Sequence, residues 1–269
     1  MRELRYLVDN YDMDGVYFVD DLLSPNREYL YNLCNKLIES NLGLFWSCDM
    51  RTDNCTKEDL QIMYDAGCRW IFFGVESGSE ERQKAIKKRL DLKKAAETIN
   101  NCREIGISTT TSFVIGFPDE TEEDIKKTIR FMQNLNSDVK IPALFAPLPK
   151  SEMYDELVKN KRLAVPSSYE EWKKLATIDS IGENFSKVPT KELKVITGYF
   201  YLSNMSNKTD KDDIEKGIWV KRLFRQAVDM IKRGNLKSVQ LLFLAAKEFL
   251  EIIYYATMYP KILKKYDLS

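Results

Sequence analysis

Histidine is absent from all 269 residues of this chain. Its absence excludes Ser-His-Asp and Cys-His nucleophile pairs, and every metal site that needs an imidazole ligand. The 41 basic and 41 acidic residues leave no net charge, so the composition gives no sign of electrostatic binding to nucleic acid. Any chemistry must therefore depend on carboxylates, lysines, thiols or a cofactor.

Long uncharged hydrophobic runs are also absent. The most apolar region, residues 239–259, contains Lys247, Glu248 and Glu251, whereas a membrane-spanning helix needs about 20 nearly uncharged residues. We interpret this region as an amphipathic packed helix. The N-terminus lacks the basic segment and apolar stretch of a secretory signal. We therefore expect a cytoplasmic protein without a transmembrane segment.

Five cysteines, at positions 34, 48, 55, 68 and 102, show no CxxC spacing. An odd, scattered set without a secretion signal favours free thiols over disulfides, and the spacing does not match a zinc knuckle. Cys34 and Cys102 fall on the apolar faces of predicted helices, so we expect them to be small core residues. The sequence therefore predicts no metal ligands within this chain.

Short apolar runs alternate with helical patterns through the first 150 residues. Their almost unbroken β-branched and aromatic content is typical of parallel strands covered on both faces. Each strand with its helix takes roughly 30 residues, the size of a βαβ unit. A leading helix over residues 1–12 precedes the first strand. The predicted strands are residues 15–19, 42–48, 69–75, 109–116 and 142–147.

Several helix ends are marked in the sequence. Ser24-Pro25 is typical of a helix start, and the pairs Thr56–Asp59 and Thr121–Asp124 resemble capping boxes. Gly67 and Gly106 follow apolar periodic segments and suit left-handed C-terminal caps. These signals place helices between the strands and predict an α/β fold.

The pattern changes after Pro149. A helical segment follows, residues 166–212 are polar and are predicted to be irregular, and helical periodicity returns over residues 214–263. We therefore predict two domains, an α/β core over residues 1–155 and an α-helical region over residues 156–269.

Polar side chains follow the predicted strands, where parallel βα folds bind their ligands. Asp20 and Asp21 follow the first strand, Arg51 the second and Glu76 the third. Each has a simpler explanation: the aspartates could be helix N-terminal acids, Arg51 a solvated charge, and Glu76 a cap on its own "SGSEE" turn. No pair has a spacing that identifies a catalytic residue.

Five segments together are more specific than any one of them: "VYFVDDLLSPNREYLYNLC", "WSCDMRTD", "MYDAGCRWIFFGVESGS", "SFVIGFPDETEEDIKKTIRFMQNL" and "FAPLP". In this order and spacing they resemble the core domain of radical S-adenosylmethionine enzymes. The resemblance is strongest to the branch that often carries an N-terminal cobalamin-binding domain, such as the anaerobic magnesium-protoporphyrin cyclase. It covers residues 1 to about 155.

The resemblance implies a partial (β/α)6 TIM-like barrel that lacks its first strand. It implies binding of S-adenosylmethionine, which the complete enzyme would cleave to a 5′-deoxyadenosyl radical for hydrogen abstraction or methyl transfer on a small-molecule or unknown substrate. Asp20 and Asp21 would contact the methionine part, Glu76 the ribose hydroxyls, and Arg51 a carboxylate on the substrate side. The adenine would be contacted by Val114, Gly116, Leu144 and Phe145.

The chain departs from the family at the CxxxCxxC loop that holds a [4Fe–4S] cluster, because no such triplet is present. The cluster ligands are expected upstream of residue 1, and cobalamin would need a further N-terminal domain. We therefore expect a fragment or truncated form of a radical S-adenosylmethionine enzyme. The alternative is an inactive remnant or a nucleotide-binding scaffold without a cluster.

Overall fold

The computed structural model describes residues 1–20, 22–23, 26–175, 183–206 and 259–268. The chain divides into two compact units. The first comprises Met1–Ile115 with Glu120–Ala143, and the second Gly116–Asp119 with Leu144–Ser269. The two-domain boundary that the sequence predicts near residue 155 stays a prediction.

The first unit alternates strands and helices along the chain, as the sequence predicts. The elements are α1 (Arg2–Tyr11), β1 (Gly15–Phe18), α2 (Arg27–Ser40), β2 (Phe45–Met50), a 3-10 turn (Thr52–Asn54), α3 (Lys57–Asp65), β3 (Cys68–Glu76), α4 (Glu80–Ala85), α5 (Leu92–Ile105), β4 (Ser108–Ile115), α6 (Glu122–Asn134) and β5 (Val139–Leu144).

The strands form one open parallel sheet in the order β1-β2-β3-β4-β5. Parallel registers join β1 to β2 at Gly15↔Phe45 and β3 to β4 at Trp70↔Ser108. The predicted α/β class with sequentially ordered parallel strands is confirmed. β5 begins three residues before its predicted start. The prediction placed the start too late because Lys140 interrupts the apolar run that identifies the strand. Burial lowers the pKa of Lys140.

Strand β3 shows why its sequence is so apolar. Ile71, Phe73 and Val75 are completely buried, and α3 packs on this strand. The residues between them, Phe72 and Gly74, are only half-buried and lie on the opposite face. A side chain at the end of this second face, such as Glu76, can therefore reach solvent or a ligand.

Both predicted capping boxes are present, at Thr56–Asp59 on α3 and at Thr121–Asp124 on α6. Asp59 also accepts a hydrogen bond from Arg27 Nε at 2.9 Å. Burial alone would raise the pKa of Asp59, but hydrogen bonds from Thr56 and Arg27 hold it below its usual value. The predicted left-handed conformations are found at Gly67 and Gly106, with φ of 99° and 98°. The predicted capping boxes and left-handed glycines are thus confirmed.

The second unit contains four described helices: α7 (Glu152–Lys159), α8 (Tyr169–Leu175), α9 (Thr190–Ser206) and a short last helix (Pro260–Lys265). The prediction that residues 166–212 are irregular was wrong, because α8 and α9 lie there. Leu193, Ile196 and Phe200 are buried at helical spacing on α9. The helical spacing of these apolar residues is hard to recognise in the sequence, because α9 also contains β-branched residues and a glycine near its middle, which have low helix propensity.

The last helix is held on α9 by polar contacts. Glu192 accepts hydrogen bonds from Lys265 Nζ at 2.8 Å and from the Tyr266 hydroxyl at 2.7 Å. Tyr266 is almost fully buried. The amphipathic helix predicted within residues 239–259 lies outside the described residues. The helix start predicted at Ser24-Pro25 was wrong by two residues: α2 begins at Arg27, and the Asn26 side chain caps it by accepting a hydrogen bond from the Tyr29 amide at 2.8 Å. Among the helices that are described, none is long and apolar enough to cross a membrane.

Gly78 allows α6 to approach the end of β3. A Cβ atom on Gly78 would lie 2.5 Å from the Cβ of Phe131 and 2.8 Å from the Cα of Thr128, both on α6. Contacts this short cannot be accommodated without moving the helix. The glycine of the "ESGS" segment therefore has a packing role.

We expect Gly78→Ala to lower the free energy of unfolding by about 1–3 kcal/mol, the usual cost of overpacking a tight contact. Chemical denaturation measures it. Gly15→Ala is the matched control, since its Cβ would meet only the Phe45 carbonyl oxygen at 3.5 Å. Equal stability of the two variants would contradict this account of the α6 contact.

Candidate functional site

Glu76, the last residue of β3, has an unusual backbone. Its φ is 67°, in the left-handed region, and the pairing with β4 is irregular between Gly74 and Glu76. A residue other than glycine in this region costs on the order of 1–3 kcal/mol and persists only where its surroundings impose it. Such positions cluster at functional sites, so the end of β3 is the first place to look for one.

The Glu76 carboxylate forms an ion pair with Lys88. Glu76 Oε1 accepts a hydrogen bond from Lys88 Nζ at 2.6 Å, and the two side chains are 27% and 16% exposed. Gly74 leaves the room that the pair occupies, because its Cβ would lie 2.8 Å from Oε1 and 2.9 Å from Nζ. The sequence reasoning identified Glu76 but not Lys88 or the purpose of Gly74.

The turn after Glu76 is held by other groups. The Ser77 amide donates to the Val75 carbonyl at 2.9 Å, Gly78 to the Thr128 hydroxyl at 3.1 Å, and Ser79 to the Ser77 hydroxyl at 3.1 Å. Helix α4 is capped by the Ser79 side chain. The alternative interpretation of Glu76 as the cap of this turn is therefore wrong.

Buried Gln83 locks the end of the strand in place. Its side-chain amide donates to the carbonyls of Val75 at 2.6 Å and Ser77 at 2.7 Å, while its oxygen accepts from the Leu90 amide at 3.4 Å. Sequence reasoning missed Gln83, because a glutamine on a short charged helix looks like a surface residue. The backbone on either side of Glu76 is thus held by a helix that follows it.

Arg51 lies beside this pair. Its Nε and Nη2 donate to the two carboxylate oxygens of Asp53 at 2.9 and 2.7 Å, and Nη2 also reaches the Lys88 carbonyl at 3.4 Å. Arg51 lowers the pKa of Asp53. The hydrogen bond to Asp53 raises the pKa of Arg51, and the charge of Glu76 adds to this rise. Two predicted site residues, Arg51 and Glu76, are thus brought together through Lys88.

The ends of β1 and β2 carry a second polar contact. The Tyr17 hydroxyl donates to Asp49 Oδ1 at 2.5 Å, and this bond with the neighbouring charge raises the pKa of Tyr17 to about 12. Asp20 is exposed. Asp21 lies outside the described residues. Their predicted contact with methionine stays a prediction.

The predicted adenine contacts fall in both units. Val114 is half-buried in β4, between buried Phe113 and Ile115. In the second unit Gly116 has a φ of 87° and lies against Leu193, and Leu144 is buried. Phe145 packs on the rings of Phe117 and Phe185, with centroids 5.5 and 6.4 Å away. The four adenine contacts stay predictions.

All five cysteines are free and buried, which confirms the core role predicted for Cys34 and Cys102. A hydrogen bond with Cys68, together with burial, raises the pKa of Cys48, and burial raises the pKa of Cys34 and of Cys55 to about 12. Within the described part of the chain no three His, Cys, Asp or Glu side chains could hold a metal ion. A [4Fe–4S] cluster needs about four ligands, normally deprotonated thiols, so these residues do not fit one.

A scan of protein families matches residues 1–132 to the radical SAM superfamily. An uncharacterized methyltransferase of Pyrococcus horikoshii is 25% identical over 67% of this chain and 39% of its own length. The anaerobic magnesium-protoporphyrin IX monomethyl ester cyclase of Rubrivivax gelatinosus is 24% identical over 58% of this chain and 28% of its own. The chain thus spans about two fifths or less of these relatives.

A solved structure is similar in fold. It is a radical S-adenosylmethionine methyltransferase, TsrM, from Kitasatospora setae, with cobalamin and a [4Fe–4S] cluster bound. The alignment has a TM-score of 0.55 at 20% identity and covers 59% of this chain and 33% of the other. At this identity the similarity supports the fold and not the ligands.

We expect Asp49→Ala to lower the pKa of Tyr17 from about 12 toward the ordinary value of about 10, because the accepting carboxylate is lost. Carbon NMR of labelled tyrosine rings measures the titration, and Tyr17→Phe assigns the signal. The other tyrosines are internal controls. A wild-type Tyr17 that titrates near 10 would contradict the contact with Asp49.

We also expect the 269-residue chain not to assemble a [4Fe–4S] cluster when it is incubated anaerobically with iron and sulfide, because its thiols are buried and no three described ligand side chains are placed to hold a metal ion. Iron analysis and absorption spectroscopy measure the result. Stoichiometric bound iron that is lost in a Cys48→Ser or Cys68→Ser variant would show that the core thiols had been recruited.

Proposed function

We propose, from the match of residues 1–132 to the radical SAM superfamily, that this chain is the S-adenosylmethionine-binding part of a radical S-adenosylmethionine enzyme. The whole protein would perform hydrogen abstraction or methyl transfer on a small-molecule substrate. The observation that carries the proposal is the Glu76 carboxylate, which is held at the end of β3 in a left-handed conformation beside Lys88.

Glu76 would accept hydrogen bonds from the two ribose hydroxyls. A carboxylate has two oxygens with about four acceptor positions, and the ammonium of Lys88 takes one of them at Oε1. The remaining positions suit a pair of neighbouring hydroxyl groups, since a carboxylate can accept two parallel bonds. The strain at Glu76 and the room left by Gly74 support a role for this geometry beyond stability.

Arg51 would contact a carboxylate on the substrate side. Asp53 and the Lys88 carbonyl engage its Nε and Nη2, and a guanidinium carries five N–H donors. The Nη1 group therefore has two donors that no hydrogen bond to a described residue uses. Because Asp53 already fixes the plane of the guanidinium, little side-chain freedom would be lost on binding.

The cluster needs ligands other than the described cysteines, which do not fit it. We propose that the complete protein provides them from residues outside this chain, and that the same holds for any cobalamin. Methyl transfer is supported as the first reaction class to test by the methyltransferase among the curated relatives. When bound, S-adenosylmethionine would supply the 5′-deoxyadenosyl radical or the methyl group. The residues of this chain would orient its nucleoside.

The test is Glu76→Gln. We expect affinity for S-adenosylmethionine to fall by about 10- to 150-fold, which corresponds to the 1.5–3 kcal/mol of a hydrogen bond to a charged group. The free energy of unfolding should also fall, by about 1–3 kcal/mol, because Lys88, with a side chain only 16% exposed, loses its charged partner. Isothermal titration calorimetry and chemical denaturation measure the two quantities.

Glu80→Gln is the matched control, because Glu80 is an exposed carboxylate four residues away in the first turn of α4. It should leave the affinity unchanged. If Glu76→Gln also binds S-adenosylmethionine as tightly as the wild type does, Glu76 does not contact the ribose and the proposed site is wrong.

A further inference from the structure

Lys88 is presented to Glu76 by a turn with an uncommon backbone. The residues on either side of it, Lys87 and Arg89, both have positive φ, at 59° and 53°. Left-handed residues other than glycine are a small minority in proteins, and lysine and arginine are not among the types that favour this region. Two of them around a single lysine indicate a turn that is held in shape by its surroundings.

Three amide hydrogen bonds hold this turn, in addition to the bond from Arg51 Nη2 to the Lys88 carbonyl. The Lys87 amide donates to the Lys84 carbonyl at 3.1 Å, the Arg89 amide to the Gln83 carbonyl at 3.1 Å, and the Leu90 amide to the Gln83 side chain at 3.4 Å. The same Gln83 side chain holds the backbone before and after Glu76. One buried residue therefore sets the positions of both partners in the ion pair.

The Lys88 side chain is largely removed from water, at 16% exposed. A partly buried charge is costly unless it is paired, and the Glu76 carboxylate at 2.6 Å provides the partner. Gly74 keeps this space open, because a Cβ there would contact both charged groups. The glycine, the turn and the ion pair thus form one arrangement.

We propose that Lys88 is a positioning residue, which orients the Glu76 carboxylate so that it can accept both hydroxyls of a ligand's vicinal diol. This inference rests on the proposed role of Glu76 in binding ribose. With Oε1 held by Lys88, the plane of the carboxylate is set before the ligand arrives, and less side-chain freedom is lost on binding. Lys88 makes no contact with the ligand in this account.

The proposal predicts an effect on specificity that a purely structural ion pair would not have. An oriented carboxylate accepts from two hydroxyls at once, so a ligand with one hydroxyl removed loses a defined bond. A carboxylate that can rotate adjusts to either ligand and distinguishes them poorly. Lys88 should therefore control the preference for a ribose over a deoxyribose.

The experiment compares 5′-methylthioadenosine with its 2′-deoxy analogue, by calorimetry or ligand-observed NMR. We expect the wild-type chain to prefer the first by at least about tenfold, as for one lost hydrogen bond to a charged group. Lys88→Met should reduce this preference to less than about twofold, and Lys88→Arg should restore part of it because the positive charge returns. Lys84→Met is the control, since Lys84 is exposed on α4, and it should bind as the wild type does.

Gly74→Ala tests the same proposal without changing either charge. Its added methyl would separate the carboxylate from the ammonium, so it should also lose the preference. Circular dichroism and denaturation of each variant show whether it is folded, and this variant decides the question if Lys88→Met does not fold.

The possible results separate the two proposals. A wild-type chain without preference, together with an unaffected Glu76→Gln variant, would overturn the ribose site and the role of Lys88 with it. If the wild type prefers the ribose, Glu76→Gln loses that preference and folded Lys88→Met or Gly74→Ala keeps it, the ribose site stands and the positioning role of Lys88 is wrong.

Discussion

The ion pair between Glu76 and Lys88 exists because three features of the chain leave space for it and hold its ends. Gly74 has no Cβ where the two charges meet, and Gln83 binds the backbone on both sides of Glu76. In the turn around Lys88, the two flanking residues have left-handed backbone conformations. None of these is needed to form a parallel sheet. Together they reduce conformational freedom and introduce backbone strain. Packing of the neighbouring elements offsets this free-energy cost.

The "ESGS" segment combines residues that pack inward with one charged residue that stays partly exposed. Ser77 and Ser79 are fully buried and satisfy the polar groups of the turn, while Gly78 permits the close contact with α6. Glu76 is left as the only residue of the four whose side chain reaches partly into solvent. Three of the four residues in this motif thus hold the turn and its packing in place, and Glu76 is supported by them.

The sequence predicted the sheet order and helix boundaries well, because these depend on local patterns. The capping box at Thr56–Asp59 and the left-handed Gly106 are determined by residues a few positions apart. The ion pair of Lys88 with Glu76 could not be predicted in this way, since the two residues lie 12 positions apart and no periodicity connects them. Helix α9 was missed for a different reason: tertiary burial of Leu193 and Phe200 outweighs its weak helix propensity.

The five buried thiols also allow local unfolding of the first unit to be followed by chemical labelling. A cysteine in the core is shielded from alkylating reagents until the surrounding structure separates. Cys34 lies on α2, Cys102 on α5, and Cys48 and Cys68 on adjacent strands, so each thiol becomes reactive when a different element detaches. The order in which they are labelled would reveal which parts of the first unit open together, with no substitution introduced into the protein.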